Sequence, residues 1–339
     1  MGFKEEKESV FMSKKAFIWG VSGQDGALLA QLLLNKGYDV VGTSRDAQLS
    51  DFKNLTYLGI ADAVQTISAN PVDFRSVLEV FAKTQPQEVY NLAGQSSVSL
   101  SFEQPIETFN SIALANLTLL EAIRFIGDKS LRYYYAGSGE CYGNTVIPAN
   151  EQTVFHPRSP YAVAKAAAFW QVANYREAYD LYACSGVLFN HESPLRPERF
   201  VTQKIVRTAC RIAAGSSEKL FLGNMEIERD WGWAEEYVDA IWRILQQEKA
   251  EDYLVATGVS CKLKDFVEAV FMTLGLEWEK HVIFKESLLR PTDILQSRAF
   301  PGKAEEFLGW RARHTYREVA DSLVAAELKR LDQRLVDGS

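Results

Sequence analysis

Residues 15–37 read KAFIWGVSGQDGALLAQLLLNKG. A short apolar run enters Gly20, Gly23 and Gly26, and an apolar-periodic stretch follows and closes at Gly37. The pattern predicts a buried strand, a glycine turn and a helix ended by glycine. In such a turn Gly20 permits the tight bend. Gly23 lets the backbone approach a pyrophosphate, and Gly26 lets the helix pack closely on the strand. The helix N-terminus then faces phosphate charge. A glycine triplet alone says little, but between a strand and a helix it marks a nucleotide site.

Outward from this unit the alternation continues. YDVVGTSR (38–45), AVQTISAN (63–70), EVYNLAG (88–94), RYYYAGSGE (132–140) and CSGVLFN (184–190) read as strands. FRSVLEVFAKTQ (74–85), PIETFNSIALANLTLLEAIRFIG (105–127) and SPYAVAKAAAFWQVANYREAYD (159–180) read as helices. Apolar strands alternating with helices mean a parallel sheet covered on both faces, the α/β doubly wound Rossmann arrangement. After Asn190 the pattern changes. HESPLRPERFVTQKI suits a basic ligand loop leading into a helix, and the chain from about 262 is mainly helical. The expected organisation is a dinucleotide-binding domain over 13–190 with a returning segment near 236–260. A smaller, mainly helical lobe over 191–235 and 261–335 interleaves with it.

The chain has 339 residues, 47% of them hydrophobic and 12% aromatic, which describes a folded, enzyme-like protein. A net charge of −7 argues against a nucleic-acid surface. Cys141, Cys184, Cys210 and Cys261 are scattered without a CxxC, and the four histidines are dispersed. That excludes a structural zinc or disulfide framework and fits reduced thiols in a cytoplasmic setting. No metal is expected. The leading MGFKEEKESVFM is charged and lacks the apolar centre of a signal peptide. No stretch is expected to span a bilayer. The helices over 105–127 and 159–180 are too apolar for one buried face, so a homodimer at minimum is expected.

Only one of the 14 tyrosines is followed four residues later by lysine, Tyr161 before Lys165. That spacing puts both on one helix face, where the cation is expected to lower the phenol's pKa. In AGSGECYG (136–143), Ser138 is expected beside Tyr161. Glu140 follows two residues on, pointing the same way if the strand continues, as a candidate base. The second strand ends TSRD, and Arg45 favours a 2′-phosphate and hence NADP over NAD, although Asp46 stands next to it. Lys204, Arg229 and Arg290 fall in separate segments and would form a pyrophosphate clamp if they converge.

These residues resemble the extended short-chain dehydrogenase/reductases, and among them the GDP-mannose 4,6-dehydratase family. GVSGQDG, QEVYNLAGQSSVSLSFEQP, FHPRSPYAVAK, NYREAY, VLFNHESPLR, FVTQKI, LGNMEIERDWGWAEEYV, YLVATGV and RPTD carry the resemblance from about Lys15 to the final helix. It implies a catalytic set of Ser138, Glu140, Tyr161 and Lys165. It implies NADP contacts at Gly20, Gly23, Gln24, Asp25, Gly26, Arg45 and Asn70. Further NADP contacts fall at Leu92, Ala93, Tyr161, Lys165, His191 and Arg196. For a GDP-linked sugar it implies Ser96, Asn190, Val201, Lys204, Arg229, Arg290 and Asp293, which makes the smaller lobe the sugar-nucleotide lobe.

There are departures. Ser138 stands where the family usually has Thr, Asn70 replaces an aspartate, Gly139 a serine, and Asp293 a glutamate. The loop after Arg45 is shorter than usual and lacks a second arginine, which favours a dimer over the family's tetramer. The activity implied is dehydration of GDP-mannose, or a closely related GDP-hexose or heptose, to the 4-keto-6-deoxy sugar. The alternatives are an NADP-dependent reductase of GDP-4-keto-6-deoxy sugars and a dehydratase specific for GDP-mannoheptose.

Overall fold

A computed structural model describes residues 13–336; the charged N-terminal segment read above lies outside them. In chain order the first half holds β1 (Lys15–Trp19), α1 (Gln24–Asn35), β2 (Asp39–Ser44), α2 (Lys53–Tyr57), β3 (Gln65–Ser68), α3 (Phe74–Thr84) and β4 (Glu88–Asn91). There follow α4 (Val98–Glu103), α5 (Pro105–Phe109), α6 (Ala115–Ile126), β5 (Arg132–Ser138), α7 (Pro160–Tyr179) and β6 (Tyr182–Leu188). The second half holds β7 (Asn190–Glu192), α8 (Val201–Ala213), β8 (Leu220–Leu222), β9 (Glu228–Trp233), α9 (Ala234–Gln246), β10 (Tyr253–Val255) and β11 (Ser260–Lys262). It ends with α10 (Leu263–Thr273), β12 (Val282–Phe284), α11 (Gly302–Leu308) and α12 (Tyr316–Val336).

The main sheet is parallel with strand order β10-β6-β5-β4-β1-β2-β3. Successive residues of its strands feed opposite faces. Phe17, Trp19, Tyr133 and Tyr135 pack beneath α3, α6 and α7, whereas Ala16, Ile18 and Tyr134 pack beneath α1 and α9. That is why these strands read as continuous apolar runs. The register sets Trp19 level with both Thr43 and Asn91, so β1, β2 and β4 end together and their loops share one edge. The other core joins α8, α10, α12 and β9 through Ile205, Val206, Trp231, Phe266 and Leu323. A three-stranded sheet, β11-β9-β7, links that core to the cleft.

The glycine turn bears out the reading of Gly20 as the bend and Gly26 as the close contact. Gly20 has φ +87°, and a Cβ on Gly26 would stand 2.2 Å from the Gly20 carbonyl oxygen. Gly23 differs, because a Cβ there would meet nothing closer than 3.4 Å. The fold therefore demands glycine at 20 and 26, and leaves room at 23 for an approaching ligand.

Two expectations need correction. The stretch 105–127 is not a regular helix throughout: residues Asn110–Leu114 form a π turn between α5 and α6. The wider turn lets the Ser111 hydroxyl accept from Gln95 N–H at 3.3 Å and shape the rim of the cleft. This same segment, Pro105–Ile126, is long and apolar enough to cross a membrane by length and composition, contrary to the expectation of no such stretch. Its inner side is occupied by the protein. Asn116 Nδ2 donates to Gln171 Oε1 at 2.9 Å and to the Ala168 carbonyl at 3.2 Å, both on α7. Its outer side leaves Ile106, Phe109 and Leu114 exposed, and α7 adds Val163 and Trp170.

Candidate active site

A cleft of about 360 Å³ lies between the C-terminal edge of the main sheet and the smaller lobe. β5 delivers Ser138 to it. The strand then stops, and Gly139–Tyr142 form a 3-10 turn in which Glu140 N–H donates to Ser138 Oγ at 3.3 Å. The expectation that Glu140 continues the strand is therefore wrong. It nevertheless lines the cleft, because the tight turn projects it into the same space as Ser138. A Cβ on Gly139 would lie 2.9 Å from the Phe189 ring, so the missing serine side chain leaves that ring close against the turn.

α7 starts with Ser159 accepting from Ala162 N–H at 3.1 Å and with Pro160 in the first turn, the pattern of a well-capped N-terminus. Tyr161 and Lys165 therefore sit one turn apart on the buried face, and both line the cleft. Their electrostatics differ from expectation. Burial pushes the Tyr161 phenol up, and the Ser138 hydroxyl beside it pulls it partway back. Lys165 Nζ donates to the Ala136 carbonyl at 2.7 Å and lies 5.8 Å from the Tyr161 ring centre. Burial also holds Lys165 down at about 8. In this state desolvation of the phenol outweighs a cation that is hydrogen-bonded elsewhere.

Asp25, in the first turn of α1, faces His191 on β7, with Nε2 and Oδ2 3.0 Å apart. His191 Nδ1 meets the Phe189 carbonyl at 2.7 Å, and the ring stacks on Tyr237 at 4.6 Å. Two acceptors on the two ring nitrogens require the doubly protonated imidazolium. Burial would raise Asp25, but the charge and hydrogen bond of His191 hold it at about 2. Burial would lower His191, but the Asp25 charge and hydrogen bond raise it above its ordinary value. Gln24 is buried and faces protein: its Nε2 donates to Asp25 at 2.9 Å and its Oε1 accepts from Ser193 at 2.9 Å.

Of the other expected residues, Leu92, Ala93, Ser96, Asn190, Val201 and Arg196 line the cleft. Gly20, Gly23, Gly26, Arg45 and Asn70 stand outside it, along the edge where β1, β2 and β3 end. Lys204, Arg229 and Arg290 do come to one cleft. Lys204 Nζ donates to the Phe221 carbonyl at 2.6 Å. Arg229 is only 4% exposed and already engaged, donating to the carbonyls of Ile294 (2.7 Å) and Glu228 (3.0 Å). Asp293 Oδ1 accepts from Arg229 at 3.1 Å and from Arg290 at 3.3 Å, and Arg229 Nε is 3.9 Å from Glu140. Arg229 thus joins the expected base to the cationic end of the cleft. Sequence reasoning missed Ser99, whose hydroxyl accepts from Arg290 at 3.2 Å, and the buried Glu192. Ser99 sits in the quoted QSSVSLS run, but nothing local ties it to a residue 191 positions away.

A doubly wound sheet with a Ser–Tyr–Lys set at its C-terminal edge and cations across the cleft defines a short-chain dehydrogenase/reductase-type enzyme acting on an anionic substrate. Residues 17–323 match the profile of the family described as GDP-mannose 4,6 dehydratase. GDP-mannose 4,6 dehydratase 1 of Arabidopsis thaliana is 43% identical over 325 residues, covering 93% of this chain and 90% of that protein. Among solved structures, a UDP-glucose 4-epimerase from Thermotoga maritima with UDP-glucose aligns with a TM-score of 0.83 at 22% identity, covering 94% and 99% of the two chains. A dTDP-glucose 4,6-dehydratase from Bacillus anthracis in complex with NAD aligns at 0.82 and 17%, covering 94% and 98%. The chain belongs to the GDP-mannose 4,6-dehydratase family and is a hydro-lyase of the nucleotide-sugar 4,6-dehydratase class.

The Asp25–His191 pair sets a pH window. The raised His191 contributes stability that is complete below its unfolded value near 6.5 and lost as pH rises through the higher folded value. The lowered Asp25 contributes above 3.8 and loses its contribution as pH falls through about 2. In Asp25→Asn, burial is opposed only by the bond to the Phe189 carbonyl, so the His191 titration midpoint followed by NMR should fall. An unchanged midpoint would show that Asp25 does not set the charge.

Proposed function

We propose that this chain dehydrates GDP-mannose, or a closely related GDP-linked hexose or heptose, to the GDP-4-keto-6-deoxy sugar. The observation that supports this most is Glu140 in the wall of the cleft that Ser138, Tyr161 and Lys165 line. An alcohol–ketone interconversion alone needs no such carboxylate. Residues present fit a nicotinamide dinucleotide: the open space at Gly23 and the α1 N-terminus suit a pyrophosphate, and Leu92, Ala93, His191 and Arg196 lead from it toward Tyr161. When bound there, NADP would supply hydride chemistry: an acceptor for the C4 hydride and its donor at C6.

The chain's own residues do the rest. Tyr161 takes the O4 proton, and Ser138 hydrogen-bonds the same oxygen. The Ser138 hydroxyl offsets part of the rise that burial imposes on the phenol, and Lys165 stands one turn away on the same face of α7. The ketone at C4 acidifies C5; Glu140 takes that proton and passes it to the C6 hydroxyl, which leaves as water. Once hydride is added at C6, the resulting enolate takes a proton at C5 from solvent, to which Tyr161 releases the O4 proton. Lys204 and Arg290 hold the diphosphate, and Asn190, Ser96 and Val201 flank the sugar nucleotide. Arg229 steadies Asp293 and Glu140 from within the wall.

Glu140→Gln keeps the shape and removes the base. The variant should still bind GDP-sugar and cofactor but lose about 10²–10⁴-fold in turnover. The wild type should show no net NADPH consumption, and its product should be lighter by one water with solvent deuterium at C5. Stoichiometric NADPH consumption, or full activity of the variant, would replace this reading with the reductase.

NADP over NAD is supported at the end of β2. Arg45 is exposed there, while Asp46 Oδ1 is occupied by the amides of Gln48 at 3.0 Å and Leu49 at 3.1 Å. The carboxylate is thus turned to its own loop. Arg45→Ala should weaken NADP by about 1.5–3 kcal/mol, the worth of a charge-assisted bond, and NAD far less. Equal losses would remove Arg45 from phosphate recognition.

The exposed apolar row of Ile106, Phe109, Leu114, Val163 and Trp170 supports a homodimer through the 105–126 segment and α7. Light scattering at micromolar concentration should report twice the chain mass; a monomer would refute the pairing.

A further inference from the structure

Residues 190–193 stand between two helix N-termini and bond to both. On one side His191 meets Asp25 of α1 at 3.0 Å, and the His191 carbonyl accepts from Gln24 Nε2 at 3.3 Å. The next residue turns the other way. Glu192 accepts from Thr202 Oγ1 of α8 at 2.6 Å and pairs with Arg196 Nε at 3.0 Å. Ser193 joins the two sides by itself: its hydroxyl donates to Gln24 Oε1 at 2.9 Å, and its carbonyl accepts from Gln203 Nε2 of α8 at 2.9 Å. Gln24, His191, Glu192, Ser193, Thr202 and Gln203 are each more than nine-tenths buried.

Apolar packing could join two helix ends at lower desolvation cost, since buried polar groups are tolerated only when satisfied. What a satisfied polar row adds is directional rigidity: neither helix end can shift without breaking bonds that no water replaces. The two ends are also the two halves of the proposed site. α1 offers its N-terminus to the cofactor pyrophosphate, and the first turn of α8 carries Val201 and Lys204 toward the substrate diphosphate.

We propose that this polar row couples the two ligand sites, with Glu192 and Ser193 as its positioning residues. Because the row is rigid, an adjustment of α1 to a bound dinucleotide is carried to the first turn of α8, where a nucleoside diphosphate binds; by linkage the reverse holds to the same factor. The inference rests on the assignment of the two sites given under Proposed function.

Calorimetry with two truncated ligands tests it. GDP lacks the sugar and 2′-phospho-ADP-ribose lacks the nicotinamide, so the two do not meet at the reacting centre. Each is titrated alone and with the other saturating. In the wild type each should tighten the other by the same factor, about fivefold or more. In Ser193→Ala and in Glu192→Gln the factor should fall to within twofold of unity, while each ligand still binds alone. A row that is merely structural would weaken both ligands alone and leave the factor unchanged. Should one variant fail to fold, the other carries the test. A wild type that binds both ligands independently, or a factor unchanged in the folded variants, overturns the coupling. A wild type that binds neither ligand overturns the site assignment itself, a result distinct from independent binding.

Discussion

At the first turn of α1 the backbones of Gly26 and Gly20 meet so closely that a Cβ on Gly26 would stand 2.2 Å from the Gly20 carbonyl oxygen. That contact brings α1 down onto the end of β1 and fixes where its first turn points. Everything at the reacting edge is placed from there. Asp25 is carried to His191, His191 fixes β7, and β7 pairs with β9, which brings Arg229 beside Glu140. A strand–helix contact of two glycines thus sets the geometry of residues more than a hundred positions away.

The site that results is largely buried and strongly polar at once. Tyr161, Lys165, His191, Glu192 and Arg229 are all buried. In such surroundings a charge needs a partner: Asp25 raises His191 against burial, while burial draws Lys165 toward its neutral form. The cationic end is arranged differently. Arg290 and Lys204 keep contact with the cleft, whereas Arg229 is bound by two carbonyls and a carboxylate and acts as part of the wall.

The alternating strands and helices were legible because each is decided by near neighbours: apolar runs of strand length, glycine stops, a serine before a proline at the start of α7. The glycine turn was legible for the same reason. The Tyr161–Lys165 pair was legible as a spacing but not as an electrostatic unit, since the bond from Lys165 to Ala136 depends on β5 lying beneath α7. Glu140 does line the cleft, but its backbone was read wrongly, because nothing in GSGE tells a strand from a turn. Gln24 and Asp25 were read as ligand contacts from their place in the glycine motif. Their bonds to residues 166 to 169 positions on are set by the fold of the whole chain.

The path of the chain has a mechanical consequence. After β6 it leaves the main sheet for the smaller lobe, returns as α9 and β10, and leaves again. α9 supplies Ala234, Tyr237, Ile241 and Ile244 to the core beneath Ile18 and Tyr134, and β10 closes the edge of β6. The first 190 residues therefore lack part of the cover of one sheet face, where α9 packs beside α1, and the last strand. The two halves are knitted into a single unfolding unit, and a chain emerging from synthesis cannot complete its first half until the second has largely been made.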